Sequence, residues 1–329
     1  MQRKIGLVVM IALTLVIAAC GQASLEKKEK TVKIGYFPNL THVATIVGLE
    51  KGYFKEAFGE EVEIETKTVN NGGLFMEAMA TGAIDVGTVG PGPLLNHYVK
   101  DPNYFIISGA VNGGAVLVGS KHSQIKELED LDEKKIAIPV IGSTQDVMLR
   151  KTLNEVGLKP TTNGGTVELM PAAPADTATL FQQESVDATA TQEPWGYILE
   201  TQADGELILN WDEFAWGKDS TNTVVAATTD FKENDSHTKK YLSAHIKAVE
   251  FIKDNPDEAQ NLVIEHIKDL TSKEIDKQEL ETAFDRLEVT TYVNESVIQE
   301  MADISQEAGY VESNNIDGLV DLSTLDTIK

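Results

Sequence analysis

The residues best placed to do chemistry are mostly neutral and fall in four short segments. Gly142-Ser143-Thr144-Gln145 sets two hydroxyls and successive backbone N–H groups after a glycine-permitted turn, directly before a helical stretch. Such a helix start attracts anions and polar oxygens through its unpaired donors and its dipole. An ordinary N-cap by Ser143 or Thr144 accounts for the same residues. Asn39, Thr41 and His42 also precede a helix, and His42 can donate a hydrogen bond at neutral pH without carrying charge, or can fix its own loop. Gly90-Pro91-Gly92-Pro93 combines a close backbone approach at Gly90 with a helix start near Pro91 or Pro93, or is a plain strand-to-helix turn. In Glu193-Pro194-Trp195 the indole either walls a cleft or packs in a core.

Charged chemistry is sparse around these segments. Beyond the N-terminal leader, arginine occurs only at Arg150 and Arg286, and Arg150 lies some two turns into a predicted helix. Asp146 and Glu193 sit beside the candidate segments. Unpaired carboxylates there would oppose a bare anion, so they accept an amino group or cap neighbouring backbone. His97, His122, His237, His245 and His266 have no metal-ligand spacing. No nucleophile elbow, phosphate-cradling loop or H-E-x-x-H motif is present, and neither catalysis nor a metal or cofactor is expected.

The N-terminus reads as an export signal. Arg3 and Lys4 precede an apolar run from Ile5 to Ala19 that ends Ile17-Ala18-Ala19-Cys20. That run is shorter than the roughly 20 residues needed to cross hydrocarbon, and its flanks are those of a cleaved leader over residues 1–19. Cys20 is the only cysteine in 329 residues, so no intramolecular disulfide can form. Its setting resembles a bacterial lipobox, which implies diacylglyceryl attachment at Cys20 with a second chain for firm anchoring. Residues 20–30, polar and aperiodic, read as a tether. Removing the leader takes Arg3 and Lys4 with it and moves the formal charge from -24 to -26. That balance argues against nucleic acid and against adhesion to anionic lipid.

The remaining chain exceeds what one hydrophobic core usually holds, and two α/β lobes are expected. The patterning predicts strands at 32–36, 62–68, 84–89, 104–108 and 115–119, with helices at 43–51, 73–80 and 91–99. A second set follows: strands at 135–138, 167–170 and 186–191, and helices at 144–156, 175–183 and 194–200. After a last strand at 223–228 the chain reads as helical through Ala308, at 237–253, 256–266, 277–287 and 295–307. This alternation predicts parallel sheets flanked by helices, with any ligand crevice at the carboxyl ends of the strands.

Several of these words carry a family resemblance. Ile34-Gly35-Tyr36-Phe37-Pro38-Asn39-Leu40-Thr41-His42, Gly48-Leu49-Glu50-Lys51-Gly52-Tyr53-Phe54, Gly82-Ala83-Ile84-Asp85 and Val89-Gly90-Pro91-Gly92-Pro93 resemble the solute-binding proteins of nitrate, sulfonate and taurine importers. Gly113-Gly114-Ala115, Gly142-Ser143-Thr144-Gln145-Asp146-Val147, Val186-Asp187-Ala188 and Glu193-Pro194-Trp195 continue in the order typical of the aliphatic-sulfonate branch. The resemblance implies a periplasmic-binding-protein type II-like fold, two α/β lobes that close about a hinge over a ligand cleft. The chain would cross between lobes near Val118 and Val224, giving lobe one as residues 31–118 plus 224–329 and lobe two as 119–223. It further implies a monomeric, membrane-anchored extracytoplasmic receptor that delivers a sulfonate-like or zwitterionic solute to an ABC permease with its cytoplasmic ATPase. Nitrate, bicarbonate or a thiamin pyrimidine precursor is the alternative ligand, with Tyr36, Phe37 and Trp195 as candidates to sandwich a planar one. A pyrimidine synthase of similar fold would need a cysteine cluster, and a transcriptional effector domain would need a DNA-binding helix and no leader.

Overall fold

The computed structural model describes residues 31–271 and 276–329. The leader expected at 1–19, Cys20 and the tether at 20–30 lie outside the described residues. Among the described residues no helix is long and apolar enough to cross a membrane.

Eleven strands are described: β1 (Thr31–Tyr36), β2 (Glu63–Thr68), β3 (Val86–Val89), β4 (Tyr104–Gly113), β5 (Ala115–Ser120), β6 (Lys135–Ile138), β7 (Glu168–Pro171), β8 (Ala188–Gln192), β9 (Gly205–Leu209), β10 (Thr221–Thr228) and β11 (Leu287–Val289). They form a six-stranded sheet, β11-β4-β10-β3-β1-β2, and a five-stranded sheet, β7-β6-β8-β5-β9. The helices that matter for the site are α1 (Val43–Glu50), α2 (Tyr53–Phe58), α3 (Gly72–Ala80), α4 (Pro91–Tyr98), α5 (Thr144–Glu155), α6 (Thr177–Gln182) and α7 (Trp195–Gln202). The C-terminal half adds α8 (Thr229–Glu233), α9 (Asp235–Asp254), α10 (Pro256–Thr271), α11 (Lys277–Phe284), α12 (Glu295–Glu307) and α13 (Ser323–Ile328).

Both sheets are mixed, not parallel. β1 runs parallel to β2 and β3, and β6 parallel to β7 and β8. But β10 is antiparallel to β3 and β4, and β5 is antiparallel to β8 and β9. The reason is topological: β5 and β10 are the strands on which the chain arrives from the other sheet. An alternating strand–helix pattern records the type of each element and is silent on the direction of such an arrival.

The central strands are apolar on both faces because each sheet is covered on both sides. Alternate residues of β10 divide between two cores. Val224 and Ala226 meet Phe75, Leu94, Leu95 and Met301 on one side, and Val225 and Ala227 meet Phe54, Tyr241 and Leu242 on the other. β5 repeats the arrangement, Leu117 facing Met148, Leu149 and Leu153, and Val116 with Val118 facing Phe181 and Leu199. Each fully buried Val, Leu, Phe or Met among them contributes about 1.5–3 kcal/mol on burial. Val147 of α5 belongs to the first sheet's core, beside Leu94 and Leu95, and so stitches the two halves together.

The chain passes from the first sheet to the second at Gly113–Gly114, and returns between β9 and β10. The crossings expected near Val118 and Val224 fall inside β5 and β10 instead. Gly113 and Gly114 both have positive φ, and a Cβ on Gly113 would lie 2.1 Å from the Trp211 ring, so glycine is required at the change of sheet. Residues 285–287, expected to continue a helix, do not: the chain turns at 285–286 and enters β11, which pairs with β4 and widens the first sheet by one strand.

Candidate functional site

A pocket lies where junctions of the two halves face each other. From the first half it is lined by Phe37, Asn39, Thr41 and His42, by Asn70, Asn71 and Gly72, and by Gly90 and Pro93. From the second come Pro139, Val140, Ser143, Thr144, Gln145 and Gln192, and from the returning strand Asn222 and Thr223. None of these lining residues carries a formal charge at neutral pH. The pocket's free volume is about 30 Å³, against the roughly 10–15 Å³ that one water needs on the same measure.

The turn after β1 is folded by its own side chains. Asn39 Oδ1 accepts from the Thr41 backbone N–H at 3.0 Å and from its hydroxyl at 2.8 Å, capping the helical turn 40–42. His42 is buried, stacked on Phe37 with ring centroids 4.3 Å apart, and its Nδ1 lies 2.8 Å from the Thr88 hydroxyl. Desolvation lowers its pKa to about 3, so the imidazole stays neutral and acts as a hydrogen-bonding group, not a cation.

Opposite, Ser143 caps α5: its Oγ accepts the Asp146 N–H at 3.2 Å. The N–H groups of Thr144 and Gln145, at the first helical positions, have no intrahelical acceptor, and both residues line the pocket. Thr144 Oγ1 accepts the Gly92 N–H of α4 at 3.2 Å, and Asn96 Nδ2 donates to Gly142 O at 3.2 Å. These bonds join the two halves across two facing helix starts. The approach depends on Gly90, where a Cβ would stand 2.3 Å from Thr144 Oγ1. Gln145 Nε2 reaches Asn222 Oδ1 at 3.3 Å, and Asn222 Nδ2 donates to Gly113 O at 2.7 Å, linking the pocket to the crossing point. Gln192 is 7% exposed, and its Oε1 is buried at the pocket wall without a hydrogen-bond partner. A buried acceptor of that kind is costly unless a donor comes to it.

Of the ten residues singled out from sequence, Asn39, Thr41, His42, Gly90, Ser143, Thr144 and Gln145 converge on this pocket. Pro91, Glu193 and Trp195 do not line it. Pro91 is buried behind Gly90 at the first position of α4. Trp195 is half-buried at the start of α7, outside the pocket walls. Glu193 is fully buried, its Oε1 2.9 Å from Arg286 Nη1 and its Oε2 accepting the Tyr197 N–H at 3.0 Å. Desolvation outweighs Arg286 and raises its pKa to about 7. Asp146 is likewise consumed by internal partners, among them the Gly142 N–H at 2.8 Å and Arg150 Nε at 2.9 Å. Both carboxylates therefore brace backbone and arginine instead of facing a guest. Arg150 and Arg286, held in these pairs, are also absent from the lining.

Asn70, Asn71, Asn222 and Thr223 were missed. A signal existed for the first pair: Asn70-Asn71-Gly72-Gly73 stands between a strand and a helix, and Asn71 caps α3 by accepting the Leu74 N–H at 3.0 Å. Asn222 and Thr223 lie within a strand, where nothing local marks them. Among the described residues no group of three or more His, Cys, Asp or Glu could hold a metal ion.

This architecture has known counterparts. A Bacillus subtilis (strain 168) protein named for binding aliphatic sulfonates is 29% identical over 280 residues, which are 83% of this chain and 81% of that one. The taurine-binding periplasmic protein of Escherichia coli (strain K12) is 24% identical over 197 residues, 59% of each chain. Among solved structures, the alkanesulfonate-binding protein of Xanthomonas axonopodis pv. citri, bound to MOPS, has a TM-score of 0.75 at 17% identity, covering 88% of this chain and 98% of that one. A ligand-binding component of an ABC-type import system from Staphylococcus aureus reaches 0.76 at 16% identity, covering 92% and 99%. These likenesses establish the two-lobed α/β fold of periplasmic binding proteins. The model of the NMT1-like family matches residues 25–267, and the chain belongs to that family.

Proposed function

We propose that this chain is the extracytoplasmic solute receptor of an ABC importer and that its solute is a small organosulfur compound, an aliphatic sulfonate or taurine. It passes the solute to the membrane permease, powered by the cytoplasmic ATPase, and performs no catalysis. The observation that carries this reading is a pocket built from both halves of the molecule and lined by amides, hydroxyls, a neutral imidazole and a helix start, with no carboxylate among its lining residues. Such donors suit a sulfonate oxygen. The names of the relatives point the same way. In this reading lobe one comprises residues 31–113 and 221–329, lobe two the stretch between, and ligand contacts come from Asn39, Thr41, His42, Gly90, Ser143, Thr144 and Gln145, with Asn70, Asn71, Gln192 and Asn222 added. The receptor acts as a monomer held to the outer face of the cell membrane by lipid on Cys20.

Of the two solutes, an alkylsulfonate suits the pocket better, because taurine's ammonium would meet no carboxylate there. A compact oxyanion such as nitrate or bicarbonate is the second reading, favoured by the small free volume. The deciding experiment is thermal unfolding of the mature chain carrying Cys20→Ser against alkylsulfonates, taurine, nitrate, bicarbonate and pyrimidine precursors. A true solute at 100 times its Kd stabilises the chain by about 2.7 kcal/mol. A shift with nitrate and none with any sulfur compound rejects the sulfonate assignment. Cell fractionation checks the anchor: Cys20→Ser releases the protein from membranes, and continued retention removes lipid attachment.

A further inference from the structure

Asp146 lies one residue beyond the pocket wall and is fully buried. Its Oδ2 accepts both the Gly142 N–H, at 2.8 Å, and the Tyr310 hydroxyl, at 2.5 Å, while Oδ1 accepts Arg150 Nε at 2.9 Å. The Gly142 bond fixes the turn that carries Ser143, Thr144 and Gln145. Arg150 comes from the same helix as Asp146, but Tyr310 follows α12 and belongs to the other half of the molecule. The Arg150 guanidinium lies over the Tyr310 ring, 4.9 Å from its centroid. Beside it Asn163 Nδ2 donates to Glu307 O at 3.2 Å, so the seam between the halves continues along α12. A hydroxyl donated to a carboxylate is about twice as strong as a neutral hydrogen bond. Burial and the adjacent Asp146 charge hold the Tyr310 phenol well above its ordinary titration range, so it remains a donor at every physiological pH.

We propose that Tyr310 is the positioning residue that couples lobe closure to assembly of the solute site. Its hydroxyl docks on Asp146 across the seam, and Asp146 in turn sets the turn 142–145 against the pocket, so closure and formation of the anion-facing helix start are one event. The inference rests on the solute-capture reading of that pocket. Tyr310 is not among the residues that line the pocket; it borders the adjoining groove with Ile141 and Gly142 and acts through Asp146.

Tyr310→Phe keeps the ring, and with it the packing on Arg150, and removes only the hydroxyl. Leu74→Cys and Ile141→Cys, 44% and 45% exposed and on opposite lobes, accept spin labels in a Cys20→Ser chain that has no other cysteine. Their separation is measured in solution, and ethanesulfonate association and dissociation are followed by stopped flow. Tyr310→Phe is expected to shift the distance distribution outward and to raise the dissociation rate roughly ten-fold or more, with the association rate within about two-fold of wild type. Asp146→Asn, which also weakens the bonds to Gly142 and Arg150, should do at least as much, and adding Tyr310→Phe to it should make it no worse, since the hydroxyl acts only through Asp146. Unchanged distances in Tyr310→Phe overturn the inference, as do additive effects of the two variants. If the wild type binds no ethanesulfonate, the sulfonate reading falls and the distances alone decide whether Tyr310 couples the lobes.

Discussion

Glu193→Gln makes the crossing point measurable. Glu193 is anchored at the hinge: its own N–H donates to Gly114 O at 2.8 Å, and Gly114 N–H donates to Arg286 O at 2.7 Å. Arg286 divides its guanidinium between Glu193 at 2.9 Å and Glu200 at 2.5 Å, and the fully buried Glu193 therefore has only a share of one cation. Desolvation prevails, and the carboxyl titrates near 7 instead of its ordinary 4.5. The folded state thus holds the Glu193 proton more tightly than the unfolded chain does. The stability this contributes is complete below pH 4.5, and it is lost as pH rises through 7. A gap of about 2.5 pH units at 1.36 kcal/mol per unit is about 3 kcal/mol. Urea unfolding of wild type and Glu193→Gln, followed by the fluorescence of three tryptophans, is run from pH 5 to 8. Other titrating groups cancel in the difference. Wild type should lose ground to Glu193→Gln steadily over that range, by an amount approaching 3 kcal/mol. A difference that stays flat with pH would mean that Glu193 is ionised in an ordinary ion pair with Arg286, and the desolvation argument would fail.

Three further outcomes follow from the pocket. Gly90→Ala places a methyl 2.3 Å from Thr144 Oγ1 with no backbone strain, since Gly90 has a φ of -68°; calorimetry should show solute affinity falling at least ten-fold, with some loss of unfolding temperature as the halves are pushed apart, and unchanged affinity would deny the helix-start contact. Ser143→Ala with Thr144→Ala should weaken solute binding and cost about 1 kcal/mol of stability through the lost cap, so folding survives; binding equal to wild type would remove that turn from the site. Because His42 stays neutral down to about pH 3, solute affinity should be flat between pH 5 and 8; affinity for an anion that rises as pH falls through 6 would show a histidinium in the pocket.

Local chemistry was legible wherever one short segment contains the whole cause. The turn of Asn39, Thr41 and His42, the glycine–proline start of α4 and the capped start of α5 each need only a strand end, a turn residue and a helix start. All three appear in the order of the residues. The same holds for β6, at 135–138, and for α12, at 295–307, both found within their expected bounds. Legibility failed where the cause is remote. β11 is three residues, Leu287–Val289, whose strand character comes from the edge of β4, and α2 is only six residues long. Trp195, an attractive cleft wall by residue type, begins a helix whose position beside the pocket is set by the rest of its lobe.

What the sequence by itself determined is the class of fold and the type of donor at each strand-to-helix junction, because periodicity, caps and turn residues act over a few positions along the chain. What only the tertiary structure decided is which charges remain for a guest. Asp146 meets Tyr310 across 164 positions and Glu193 meets Arg286 across 93. A buried carboxylate is stable only with such partners, so their arrival from distant sequence made braces of two carboxylates that flank the candidate segments, Glu193 among the expected ligand contacts, and left the pocket uncharged.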